Sequence, residues 1–198
     1  LVDFARQHDI LVVNDNPYSL ILNEYPMSIL QTEGAKDYCL ELNSMSKSHN
    51  MPGWRVAMLA GNAQYIQWMF KIQSNIENGM FRGIQLAAAE AYNTNTAEWH
   101  RKYNIETYKK RRHIAEDIMR ALHCSFDPAQ VGMFLWGRIP DIYSDVEQLT
   151  EAVLHKARVF ITPGFIFGNN GKRYIRISLC ATEEKMKEAL RRICEAEL

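Results

Sequence analysis

The chain has 198 residues, is 47% hydrophobic and 11% aromatic, and balances 23 basic against 23 acidic side chains. That length buries a sizeable core in one large or two small domains, and the apolar content excludes a disordered chain. Cancelled charge excludes the global field that would favour nucleic acid or an anionic membrane, and no apolar run approaches the length of a membrane span.

Leu1 to His8 places apolar residues at 1, 4 and 5, on one helical face. It has no initiator methionine, so the sequence reads as a piece of a longer protein that begins inside a helix. Ile10–Asp15 is a short apolar run with a polar end, expected as a buried parallel strand that Asn16-Pro17 breaks. Tyr38–Asn43 and Arg55–Gly61 read as two further strands. Helical spacing follows from Asn62 to Gln73, through Tyr65, Ile66, Met69, Phe70 and Ile72. A second helix covers Gly83–Tyr92, with an alanine-rich centre suited to close packing.

A long charged helix is expected from Ala97 to about Leu122, its basic run Lys109–Arg112 forming a solvated face. Phe126-Asp127-Pro128 then turns the chain. Strands at Gly132–Gly137, Val159–Thr162 and Tyr174–Leu179 alternate with helices at Val146–Ala157 and Glu183–Glu197. Strands among helices predict an α/β class. The expected division is a partial large domain over 1–110 and a small α+β domain over 111–198. Cys39, Cys124, Cys180 and Cys194 show neither zinc spacing nor disulfide-scaffold density, so free thiols in a reducing cytoplasm are expected.

Chemistry concentrates in Ser44-Met45-Ser46-Lys47-Ser48-His49-Asn50-Met51-Pro52-Gly53-Trp54-Arg55. Lys47 follows a strand directly, between two serines, with Arg55 eight residues later. An amine that must attack a carbonyl gains from a fixed strand end, hydroxyl neighbours and a nearby cation, and the hydroxyls and arginine also suit a phosphate. Taken alone, Lys47 reads more readily as an exposed lysine of a polar loop and Arg176 as half of a structural ion pair, while Asp15 is equally a turn residue and Tyr18 a core edge.

Together these residues resemble the aspartate-aminotransferase fold (fold type I, class I and II), over essentially the whole chain. Asp15-Asn16-Pro17-Tyr18 is similar to the family's Asp-x-x-Tyr, and Ser44, Lys47 and Arg55 stand in register with its cofactor-lysine segment. Pro163-Gly164-Phe165-Ile166-Phe167-Gly168 and Tyr174-Ile175-Arg176-Ile177-Ser178 resemble its late turn and strand. The resemblance implies pyridoxal 5'-phosphate as cofactor, with Lys47 as the Schiff-base lysine and later the proton-transfer base. It implies Asp15 on the ring nitrogen, Tyr18 on the ring hydroxyl oxygen, Ser44 and Arg55 on the phosphate, and Arg176 on the substrate carboxylate.

The implied activity is transfer of an amino group from an amino acid to a 2-oxo acid, in a cytoplasmic homodimer without nucleic-acid or membrane partners and without a metal. A lyase of the same fold, or an aminotransferase-like effector domain of a transcription regulator, are the alternatives. The resemblance covers only the family's C-terminal half, so the glycine-containing phosphate loop and the ring-stacking aromatic fall outside it, and this piece alone is expected to hold the cofactor weakly or not at all and to be inactive. Side-chain specificity stays open. Ser46 and His49 match variable positions, Trp54 is expected under the loop, and Arg82 stands where relatives carry a serine or threonine reaching the partner subunit's phosphate.

Overall fold

A computed structural model describes residues 1–196 and 198. Its contacts divide the chain into Leu1–Asn104 and Ile105–Leu198, where the sequence places a boundary near 110.

In the first unit, β-branched Val12 and Val13 open β1 (Val12–Asp15), which stops at Asn16-Pro17 because proline has no ladder donor. β2 (Cys39–Ser44) pairs with it in parallel, from Val12 opposite Cys39 to Asp15 opposite Leu42. β3 (Ala57–Gly61) runs antiparallel on the other side of β2, from Leu40 opposite Gly61 to Ser44 opposite Ala57. β1 is not buried throughout: Val12 packs against Val2, Ala35 and Cys39, while Val13 is 52% exposed. A continuous apolar run conceals which face is covered.

Short helices lead into the strands and join them: α1 (Val2–His8) precedes β1, α2 (Ala35–Tyr38) precedes β2, and the single turn α3 (Met45–Ser48) follows it. Asn62 caps α4 (Ala63–Glu77) by accepting from the Gln64 and Tyr65 amides, at 2.8 and 3.3 Å. No residue of α4 is buried, and Trp68, Phe70, Ile72 and Ile76 are all exposed. The alanine-rich centre of α5 (Arg82–Thr94) packs as expected: Ala88 meets Met45 and Val56 in a small core beneath α3. The expected long helix forms as α6 (Ala97–His100), a wide π-helical turn over Arg101–Glu106, and α7 (Thr107–Ala121).

The second unit sets a three-stranded antiparallel sheet against helices. Its order is β4 (Phe134–Arg138), β6 (Tyr174–Ser178), β5 (Thr162–Pro163). Packing joins α7 to α9 (Glu183–Glu195) and to β4, while α8 (Val146–Ala152) covers β5 and β6. The last residue expected of the closing helix, Glu197, lies outside the described residues. The basic run is not wholly solvated, because Arg112 is 5% exposed. Its donors reach Glu116 Oε1 and the Gln130 carbonyl, each at 2.8 Å, which satisfies a guanidinium that burial would otherwise penalise. Among the described residues no helix is long and apolar enough to cross a membrane.

Candidate active site

Parallel pairing sets the carboxyl ends of β1 and β2 side by side, which is where open α/β sheets present ligand groups. Asp15 ends β1, exposed, and its carboxylate makes no hydrogen bond or ion pair among the described residues. The chain beyond it stays tied to β2: the Asn16 amide donates to the Leu42 carbonyl (2.9 Å), and Asn43 Nδ2 donates to the Asn16 carbonyl (3.2 Å). Ser44 ends β2 and caps α3, its Oγ accepting from the Ser46 amide at 3.2 Å. An oxygen that accepts this bond still has its own O–H to donate elsewhere.

One turn later Lys47 is half-buried, its Nζ 5.7 Å from the centre of the Tyr18 ring. The antiparallel return brings Arg55 back to the same sheet edge, since Ala57 pairs with Ser44 and the Met45 amide donates to the Val56 carbonyl at 3.3 Å. Arg55 is exposed, has a φ of 52°, and donates one guanidinium N–H to the Pro52 carbonyl at 3.0 Å. A non-glycine residue in this left-handed region is uncommon, and it turns the guanidinium back across its own loop. Asp15, Tyr18, Ser44, Lys47 and Arg55 thus share one end of one sheet.

Arg176 belongs to the second unit. It sits mid-strand on β6, opposite Trp136 on one side and Thr162 on the other. Its guanidinium carbon lies 4.2 Å from the Phe134 ring centre and 4.1 Å from that of Phe167. The structural ion pair finds no carboxylate here among the described residues; two aromatic faces hold the planar cation instead. Phe167 reaches it from the Pro163–Gly168 turn. That turn needs its glycine: a Cβ on Gly164 would strike the Gly171 and Tyr174 carbonyl oxygens.

Other expectations come out differently. Trp54 is 46% exposed rather than packed under the loop. His49 turns inward, stacked 5.2 Å from Trp99. Arg82 opens α5, exposed. Sequence reasoning passed over Glu41 and Asn104, both buried. The signal for Glu41 was an ionisable residue inside an apolar strand, which requires buried donors. Asn104 had no comparable signal, since one amide in a long amphipathic helix is unremarked until a wide turn points it inward. No group of three or more histidine, cysteine or acidic residues is placed to hold a metal, among the described residues.

The model of the family described as "Aminotransferase class I and II" matches residues 1–193. LL-diaminopimelate aminotransferase 2 of Trichormus variabilis is 37% identical over 99% of this chain and 50% of its own length. The LL-diaminopimelate aminotransferase of Halothermothrix orenii is 38% identical over 100% of this chain and 51% of its own. Among solved structures, substrate-bound BacF of Bacillus subtilis superposes with a TM-score of 0.87 at 33% identity, over 100% of this chain and 50% of that one. A probable N-succinyldiaminopimelate aminotransferase of Thermus thermophilus gives 0.86 at 30%, over 98% and 52%. The chain therefore spans about half the length of the curated relatives it matches. Its fold is that half of the fold type I architecture, and the chain belongs to the class I and II aminotransferases.

Proposed function

We propose that the full-length protein containing this chain transfers an amino group from an amino acid to a 2-oxo acid with the help of pyridoxal 5'-phosphate. The observation that carries this reading is the gathering of a carboxylate, a phenol, an amine, a hydroxyl and a guanidinium at one sheet edge, with Lys47 Nζ 5.7 Å from the Tyr18 ring. Each demand of a phosphorylated pyridine aldehyde has a matching group there. Asp15 has an uncommitted carboxylate for a protonated ring nitrogen, Ser44 a free O–H for a phosphate, and Arg55 four further N–H donors.

In this reading Tyr18 donates to the ring hydroxyl oxygen and Lys47 attaches through the aldehyde. The bound cofactor supplies an electron sink for the substrate α-carbon. With its amine free, Lys47 would hold the proton removed from that carbon and pass it to the cofactor, so the proton lost by the one is gained by the other. Arg176 grips the substrate carboxylate, its plane already set by Phe134 and Phe167, so little orientation is lost on binding. The relatives' names make LL-diaminopimelate the first amino donor to assay. The exposed apolar residues of α4 support a homodimer, and four free cysteines suit a reducing cytoplasm.

The test is amino transfer by the full-length protein across a panel of amino acids and 2-oxo acids, LL-diaminopimelate included. Lys47→Ala is expected to lower turnover by at least about a thousandfold, because it removes both attachment and proton transfer. Turnover retained in Lys47→Ala would overturn the reading.

A further inference from the structure

Asn104 is 2% exposed and stands in the π-helical turn Arg101–Glu106, a departure that helices tend to keep at functional positions. Its Nδ2 donates to the Ser48 carbonyl at 3.0 Å, one residue beyond Lys47, and lies 3.1 Å from His100 Nδ1. Its backbone carbonyl accepts from the Leu22 amide, also at 3.0 Å. Leu22 has a φ of 52°, a left-handed conformation that a branched side chain adopts only where its surroundings impose it. One residue therefore fastens both the turn that bears Lys47 and the loop that bears Tyr18.

Glu41 fastens the same loop at its base. Its Oε2 accepts three hydrogen bonds, from Asn14 Nδ2 (3.0 Å), Ser28 Oγ (3.0 Å) and the Ile29 amide (2.9 Å). Glu41 is 9% exposed and makes no ion pair among the described residues, so these donors alone compensate its desolvation. Asn14 immediately precedes Asp15, and Ser28 and Ile29 follow the loop's far end. Asn16 Nδ2 donates to the Met27 carbonyl at 3.4 Å between the two, closing the base.

Resting on the reading above, we infer that Asn104 and Glu41 are positioning residues that set Tyr18 against Lys47, Asn104 from the middle of the Tyr18 loop and Glu41 from its base. Neither touches the reacting atoms. Both act by removing freedom from a loop that would otherwise sample many conformations. A purely architectural role would stabilise the fold without reaching the chromophore that Tyr18 contacts.

The experiment uses the full-length protein with Asn104→Asp, which keeps the size and replaces a donor with an acceptor, and Glu41→Gln, which keeps one acceptor oxygen but removes the charge that holds three donors on it. The cofactor dissociation constant is measured, together with the pH midpoint at which the absorbance of the bound cofactor changes and the melting temperature of the cofactor-free protein. Each variant is expected to weaken cofactor binding about tenfold, the value of one good hydrogen bond. Each is expected to move the midpoint upward by about half a pH unit, because the donor to the ring oxygen is loosened. In a Tyr18→Phe background the same substitutions should leave the midpoint where Tyr18→Phe alone puts it.

A lowered melting temperature with an unmoved midpoint would overturn the inference, and so would midpoint shifts that add in full to Tyr18→Phe. If one variant does not fold the other decides, and Ser28→Ala, which removes one outer donor, serves if neither does. A wild-type protein lacking any cofactor absorbance that Lys47→Ala removes would be a different failure: the proposed function itself falls, and this inference with it.

Discussion

Acidification should loosen the wall behind Lys47 through one imidazole. His49 is 8% exposed, its ring 5.2 Å from Trp99 at 24° and 5.2 Å from Tyr92 at 69°. Nδ1 lies 2.8 Å from Ser48 Oγ, which is also 3.2 Å from the Ser44 carbonyl it donates to. Nε2 is buried with no hydrogen-bond partner among the described residues. A proton added there would bring a charge into an aromatic pocket, so burial pushes the His49 pKa below its ordinary 6.5.

The sign follows directly. Above 6.5 neither the folded nor the unfolded chain carries the proton, and the contribution to stability is complete. As the pH falls through 6.5 the unfolded chain takes up a proton that the folded chain still refuses, so stability drops. A single proton limits the slope to about 1.4 kcal/mol per pH unit. The assay is urea unfolding of the full-length protein between pH 8 and 5, compared with His49→Phe, which keeps an aromatic ring and abolishes the titration. Wild-type stability should fall more steeply than the variant's below 6.5, by no more than that limit. Parallel curves would refute the argument, since the other titrating groups are common to both proteins.

Burial also sorts the thiols: it pushes Cys124 up to about 12 and raises Cys39, while Cys180 and Cys194 are exposed. Iodoacetamide at pH 8 should therefore alkylate Cys180 and Cys194 and spare the other two, read by mass spectrometry; equal labelling of Cys124 would contradict the packing. Arg176→Lys replaces a planar fork held between two rings with a flexible point charge. It should lower kcat/KM for the amino donor by about 10- to 100-fold, mainly through KM, and an unchanged KM would remove Arg176 from carboxylate binding.

Much of the candidate site was legible in the sequence because its residues follow strand ends. Asp15 ends one strand and Lys47 lies one turn beyond the next, so placing the strands places these candidates, and Arg55 returns with the following strand. What stayed hidden depends on contacts between distant segments. Periodicity marks Tyr38 to Asn43 as a strand but is silent on strand direction, so the antiparallel pairing of β3 is invisible. The burial of Arg112 needed the Gln130 carbonyl, 18 residues on, to be folded beneath it. Asn104 was hidden for the same reason: beyond His100 on its own helix, its partners Ser48 and Leu22 are each more than fifty residues away. Spacing along one helix cannot reveal a partner chosen by the fold.

The outward face of α4 carries a consequence for how the protein is made. Trp68, Met69, Ile72 and Ile76 are 54, 50, 56 and 70% exposed and share one face of the helix, a contiguous greasy strip in water. If a second copy covers that strip, the native state is a bimolecular product, and its melting point rises with protein concentration. Dilution then becomes a denaturant, and a newly synthesised subunit competes at every moment between finding its mate and clumping with half-folded neighbours.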